Sequence, residues 1–231
     1  MNIFEDIASE HALLEKAAGS LVTMTNTLSL SDNADLRNDI KNLCNFFIVF
    51  MTGFHSKKEE DIIFNALEKL GLPLEKGPLY YYALEHSDHL KHMEEILQIV
   101  EKPAPDDEDI SSIMTKVANF CGEVWEHIDK ENSVFMVEVT ERVRGRALQE
   151  MNQDYENFIN NYSFQDTTAV EQWQQAEYLI KKYQPVKELP DFIRGDGCMS
   201  CRFFGEGCNG IEHEWWTEHE WEDFFERNDR D

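Results

Sequence analysis

The chain contains eight histidines, and six of them, His11, His55, His86, His89, His92 and His127, fall in its first 145 positions. Three have a glutamate four residues on: His11/Glu15, His55/Glu59 and His127/Glu131. Residues four apart on a helix share a face, so each pair aims an imidazole and a carboxylate the same way. On a helix surface such pairs usually form solvated ion pairs of small energetic value. Gathered in a buried layer, the same groups ligate first-row transition metals. Neutral imidazole with carboxylate suits Fe(II) and Fe(III), and also accepts manganese or zinc. Which use applies depends on the elements that carry the pairs.

Those elements read as helices. Gly and Pro are sparse before residue 185, and no β-branched alternation occurs. The spacing predicts a first helix over about 3–29, a turn at Ser29–Asn33, and a second helix to about Leu70, stopped by Gly71 and Pro73. A third starts at Gly77-Pro78, with Pro in the first turn, and ends before Pro103. After the loop PAPDDED comes a fourth helix over about 107–144, then shorter helices over about 146–162 and 167–183. Short connections make neighbours antiparallel. The fold class expected is all-α: an up-down-up-down four-helix bundle with extra C-terminal helices and a small Cys/His-containing tail. The expected domains are a bundle over 1–145, additional helices over 146–184 and a Cys-rich, acidic appendage over 185–231.

In that arrangement the histidines share a layer. His11 and His86 lie about eight residues from the starts of the first and third helices. His55/Glu59 and His127/Glu131 lie about 11–18 residues from the ends of the second and fourth. Those four ends coincide in an antiparallel bundle, and a rise of ~1.5 Å per residue puts the groups within two or three turns of one another. Both pairs run into apolar segments, Ile62-Ile63-Phe64 and Val134-Phe135. Carboxylates buried there would be costly without a cation, and a pair of metal ions would remove that cost.

Three segments, SEHALLEKAAGSL at 9–21, FHSKKEEDIIFNALEKLGLPLEKGPLYYYALEH at 54–86 and EHIDKENSVF at 126–135, resemble the hemerythrin-like family, the HHE cation-binding domain. The resemblance covers about residues 3–145. It implies a non-haem di-iron site in a four-helix bundle. The ligands carried over are His11, His55, Glu59, His86, His127 and Glu131, with the glutamates bridging two irons through an oxo- or hydroxo-bridged centre. Oxygen-carrying hemerythrins have a second histidine four positions after the first on the third helix; here that position is Leu90, while His89 is three positions on and Glu85 one before. Glu15 is the candidate to replace the missing ligand. A carboxylate-richer site favours redox chemistry over reversible oxygen carriage. His92 reads as a surface residue. Tyr80, Tyr81 and Tyr82 precede His86, and one of them is a candidate to face inward.

The remaining composition narrows the function. With 46 acidic and 21 basic residues the formal charge is −25, which repels nucleic acid and anionic membranes. No apolar run reaches the ~20 residues a membrane span needs, and MNIFEDIASEH lacks the features of a signal peptide. Cys44 and Cys121 are solitary in apolar helical patterns, as in a reducing cytoplasm. In the tail, Cys198, Cys201, Cys208 and His213 have the spacing of a tetrahedral zinc site. A redox-active Cys-x2-Cys pair and a poorly structured tail are the alternatives. Trp215, Trp216, Trp221, Phe224 and Phe225 form an acidic aromatic end, read either as a packed helix or as a segment for a protein partner. The function expected is a non-haem di-iron protein that binds or reacts with O2, NO or peroxide in oxidative or nitrosative stress. An iron- or oxygen-responsive sensor or adaptor, or an oxygen or iron store without catalysis, are the alternatives.

Overall fold

The structure, a computed structural model, describes residues 3–30, 34–162 and 168–189. The tail group Cys198, Cys201, Cys208 and His213, and the aromatic end segment, lie outside the described residues. Every regular element among the described residues is helical. α1 is Ile3–Leu30. α2 runs over 34–68 as an α segment, Ala34–Phe46, two π-helical stretches, Phe47–Ser56 and Glu59–Phe64, and a last turn, Asn65–Glu68. α3 is Pro78–Val100. α4 joins Asp107–Lys130, a π-helical stretch at Glu131–Phe135, and Met136–Arg142. α5 is Arg146–Asn161 and α6 is Ala169–Tyr183.

The ends form where their residues demand it. After α2, Gly71 takes φ 101°. There the N–H of Leu72 donates to the carbonyl of Leu67 at 3.1 Å and that of Gly71 to Glu68 at 2.9 Å. This double closure is the one that favours glycine after a helix. α4 and α6 begin with reciprocal caps. Asp106 accepts from the Asp109 N–H at 2.8 Å, and Thr168 accepts from the Glu171 N–H at 3.2 Å; each pair also closes in the reverse direction.

α1 to α4 form the expected up-down-up-down bundle, with α1 packed along α4 and α3 along α4. Its core consists of two apolar clusters. One takes in Leu13–Leu28 of α1, Leu36–Phe54 of α2, Met93–Val100 of α3 and Ile113–Ile128 of α4. The other takes in Ile3 and Ile7, Ile62–Leu67, Leu79 and Tyr82, and Phe135–Val139. His11, His55, His86 and His127 fall at the junction of the two. α5 closes the second cluster with Met151 and Tyr155, and the Tyr155 hydroxyl donates to Asp6. α6 covers the first with Ala176 and Leu179. The chain after α6 then lies on α1 at Gly19, whose carbonyl accepts from the Val186 N–H at 3.1 Å. A β-carbon at Gly19 would stand 2.8 Å from the Val186 carbonyl oxygen, so the approach needs glycine.

Candidate metal centre

Between the apolar clusters, α1 supplies His11, α2 His55 and Glu59, α3 His86, and α4 His127 and Glu131. All six are buried, and Glu59 and Glu131 have no exposed surface. They form two groups of four, His11–His55–Glu59–Glu131 and Glu59–His86–His127–Glu131. In each, one ligand atom per residue lies within 4.8 Å of the others. Glu59 and Glu131 belong to both groups, and both begin π-helical stretches. A π turn holds more residues than an α turn, so it re-phases the side chains beyond it, and such stretches are common at functional sites.

Each shared carboxylate turns one oxygen to each histidine pair. Glu59 Oε1 lies 3.6 Å from His11 Nε2 and 3.7 Å from His55 Nε2, and its Oε2 lies 3.4 Å from His86 Nε2. Glu131 Oε2 lies 3.1 Å from His11 Nε2, and its Oε1 3.2 Å from His127 Nε2. The far nitrogens of the rings are also engaged. Nδ1 of His11 meets Asn132 Oδ1 at 2.8 Å, that of His55 meets Glu10 at 2.8 Å, that of His86 meets Glu60 at 2.8 Å and that of His127 meets Glu85 at 2.7 Å. Carboxylate and amide oxygens only accept, so each ring carries its proton on Nδ1 and turns the Nε2 lone pair inward. This arrangement orients metal-ligating histidines and raises their donor strength. Glu10 and Glu85 are held in turn by the ammonium groups of Lys58 and Lys130.

Three observations show that these residues fit metal cations. Both oxygens of Glu59 and Glu131, and Nε2 of His11 and His55, are buried without a hydrogen-bond partner, a cost of about 1–3 kcal/mol per group and more when charged. Nε2 of His86 and of His127 face each other at 3.2 Å; with both Nδ1 positions donating, two lone pairs confront one another. Finally, among the described residues, Glu10, Glu59, Glu60, Glu85 and Glu131 meet two buried or partly buried ammonium groups in the layer, Lys58 and Lys130. Lys57 adds an exposed contact to Glu60 at 3.9 Å. Cations bound between the carboxylates would answer all three.

Without metal, protons take that place. Burial pulls His11 down, but the facing carboxylates of Glu131 and Glu59 outweigh it and push it up to about 10. His86 and His127 are raised against the same burial by Glu131 and its neighbours. Burial and the Glu131 charge push Glu59 up, yet the surrounding histidines hold it down to about 2. Burial also opposes Glu85, which His127 and Lys130 bring down to about 2. His89 moves the other way: burial and the neighbouring His127 depress it well below the usual imidazole range.

The structure thus brings together His11, His55, Glu59, His86, His127 and Glu131. Glu15 is in neither group; it lies at the edge of the core, its carbonyl accepting from the Trp125 indole at 3.0 Å. His89 is buried against the His127 ring, centroids 5.0 Å apart, and outside both groups. His92 sits at the surface with Glu123 at 2.7 Å. Of the three tyrosines, Tyr82 is the buried one, its ring 5.7 Å from that of His127. Sequence reasoning missed Glu10, Glu60, Asn132, Lys58 and Lys130. A signal was available for the lysines: His-x2-Lys-Glu occurs at 55–59 and 127–131, whereas Glu-His occurs at 10–11 and 85–86 but also at 126–127, 212–213 and 218–219 and so does not single out Glu10.

No curated protein matches the chain. Residues 2–139, more than half of its length, match the hemerythrin HHE cation-binding domain. The matched span includes all six gathered residues, and the chain belongs to the hemerythrin HHE cation-binding family.

Proposed function

We propose that the chain is a non-haem di-iron protein that binds and reacts with small oxidants, O2, NO or peroxide, in the oxidative or nitrosative stress response. The observation that supports this reading best is the sharing of Glu59 and Glu131 between two histidine pairs, one oxygen toward each. That is the disposition of carboxylates that bridge two ions. Iron is preferred because imidazole and carboxylate together stabilise both of its common oxidation states. Two irons would supply electron transfer to a small ligand bound between or beside them. Each histidine pair with the shared glutamates offers four protein donors, fewer than the six that iron accepts, which leaves positions for such a ligand.

The chain's own residues have distinct tasks in this reading. His11, His55, His86 and His127 are oriented with Nε2 toward the site by their Nδ1 partners. Phe64, stacked on the His86 ring at 6.1 Å, and Tyr82 with Phe135 wall the site with apolar surface. That wall keeps bulk water from a reduced centre and raises the strength of each electrostatic contact inside. Neither Cys44 nor Cys121 is disulfide-bonded, and burial pushes the Cys44 thiol up to about 12. Buried thiols outside disulfides suit the reducing cytoplasm proposed for the protein.

Elemental analysis of the full chain, expressed with iron supplied, tests the reading first. About two irons per chain are expected, with both lost in Glu59→Ala. Stopped-flow mixing of the reduced protein with O2, NO and peroxide follows. No spectral change with any of them would remove the proposed reactivity.

A further inference from the structure

The two halves of the bundle repeat the same construction around the site. Glu10-His11 of α1 corresponds to Glu85-His86 of α3, and His55-x2-Lys58-Glu59 of α2 to His127-x2-Lys130-Glu131 of α4. Contacts repeat with the residues: Glu10 serves His55 and Lys58 as Glu85 serves His127 and Lys130. The residue after each shared glutamate then reaches across to the other half. Glu60 receives the Nδ1–H of His86 at 2.8 Å, and Asn132 receives that of His11 at 2.8 Å. Distance and role are the same, but one acceptor is a carboxylate and the other a neutral amide. Both imidazoles of the His86/His127 pair therefore back onto carboxylates, whereas the His11/His55 pair has one carboxylate and one amide.

A carboxylate drawing on Nδ1–H raises the basicity of Nε2 at the other side of the ring. Its negative charge also favours the more highly charged of two ions. Exposure of Glu60 to solvent and to Lys57 at 3.9 Å weakens this effect without equalising the halves. A second mismatch, His89 of α3 where α1 has Leu14, adds a buried ring beside His127.

We infer that Glu60 and Asn132 make the two irons inequivalent: Glu60 stabilises Fe(III) at His86/His127, and Asn132 leaves the iron at His11/His55 the easier to reduce. The inference rests on the di-iron reading above. One electron from a low-potential one-electron donor converts the diferric form to the half-reduced form, and no protein bond is made or broken. Glu60 and Asn132 act through the histidines and are positioning residues.

The test is a potentiometric titration of the iron-loaded full chain with dithionite and mediators, the half-reduced form being followed by its electron paramagnetic resonance. Two separate one-electron steps are expected. Glu60→Gln keeps an acceptor for His86 and removes the charge; it should raise the lower potential and leave the upper one in place. Asn132→Asp adds the charge on the other side and should lower the upper potential. In either variant the comproportionation constant of the half-reduced form should fall at least about tenfold, a narrowing of about 59 mV for one electron, with a matching loss of resonance intensity at half reduction. A single two-electron wave in the unaltered chain, equal shifts of both potentials, or movement of the upper potential by Glu60→Gln would overturn the inference while leaving the di-iron reading standing. Fewer than two irons in the unaltered chain would overturn both. If Glu60→Gln fails to load, Asn132→Asp, which retains every ligand, decides by the same criterion.

Discussion

Replacing Lys58 by methionine in the metal-free protein should cost far more stability than replacing Lys130, although the two lysines have the same task. Lys58 has no exposed surface, and its partner Glu10 is about as buried at 7%. Lys130 and Glu85 are 19% and 20% exposed. Methionine keeps most of the apolar stem, which in Lys58 carries the ammonium 4.7 Å from the Phe54 ring centroid, but it leaves a buried carboxylate without its counter-charge. Breaking a buried pair from one side costs about 3–5 kcal/mol. For a protein of this size that lowers Tm by roughly 6–20 °C. Water can reach Glu85 when Lys130 is replaced, so about 1–2 kcal/mol is expected there. Urea unfolding of both variants, after chelation of metal, measures the difference. Adding Glu10→Gln to Lys58→Met removes the stranded charge and should recover at least half of the loss, because a buried pair replaced on both sides is close to neutral. Equal losses in the two single variants would refute the burial argument. Additive losses in the double variant would show that Lys58 and Glu10 contribute independently and not as an ion pair.

Glu10→Gln and Glu85→Gln each preserve a hydrogen-bond acceptor for a histidine of the proposed site, and each should weaken metal affinity by about 10–100-fold, read by competition with a chromophoric chelator; an unchanged affinity would mean that the ring orientation is set by packing alone. In the metal-free chain His11 is raised from 6.5 to about 10, so its contribution to stability is fully present below pH 6.5 and lost as pH rises toward 10. Glu59 is lowered from 4.5 to about 2, so its contribution is present above pH 4.5 and lost as pH falls toward 2. Chemical unfolding across pH should therefore show stability falling on both sides of about pH 6.5, the acid side beginning there because the depressed His89 takes up a proton only on unfolding, and metal loading, which displaces the His11 proton, should abolish the alkaline limb. Gly19→Ala places a methyl group 2.8 Å from the Val186 carbonyl; a loss of about 1–3 kcal/mol is expected, with new protease cleavage near residues 184–189, and intact digestion patterns would argue against the tight approach.

The helix ends were legible because local chemistry decides them: Gly71 closes α2, Pro78 opens α3 and Asp106 caps α4. The shared layer was legible too, since antiparallel helices convert distances from chain ends into height. What spacing along one helix does not reveal is which residue supports which across helices. Glu15, four after His11, satisfied the rule for a common face, whereas Glu10, adjacent to His11, reaches His55 on α2 instead. The rule also assumes 3.6 residues per turn throughout. The π-helical stretches that begin at Glu59 and Glu131 break that assumption where the shared carboxylates sit.

The crossing of the two halves bears on how the protein comes to hold its metal. The hairpin of α1 and α2 carries three donors of the first group, His11, His55 and Glu59; the hairpin of α3 and α4 carries three of the second, His86, His127 and Glu131. Each group is completed by a glutamate from the opposite hairpin. The first hairpin by itself offers three of these donors, His11, His55 and Glu59, to the first group. Docking of the second hairpin supplies the fourth donor to both groups in one event, while Glu60 and Asn132 close over the seam from either side. Four donors at each group therefore exist only where both hairpins are joined.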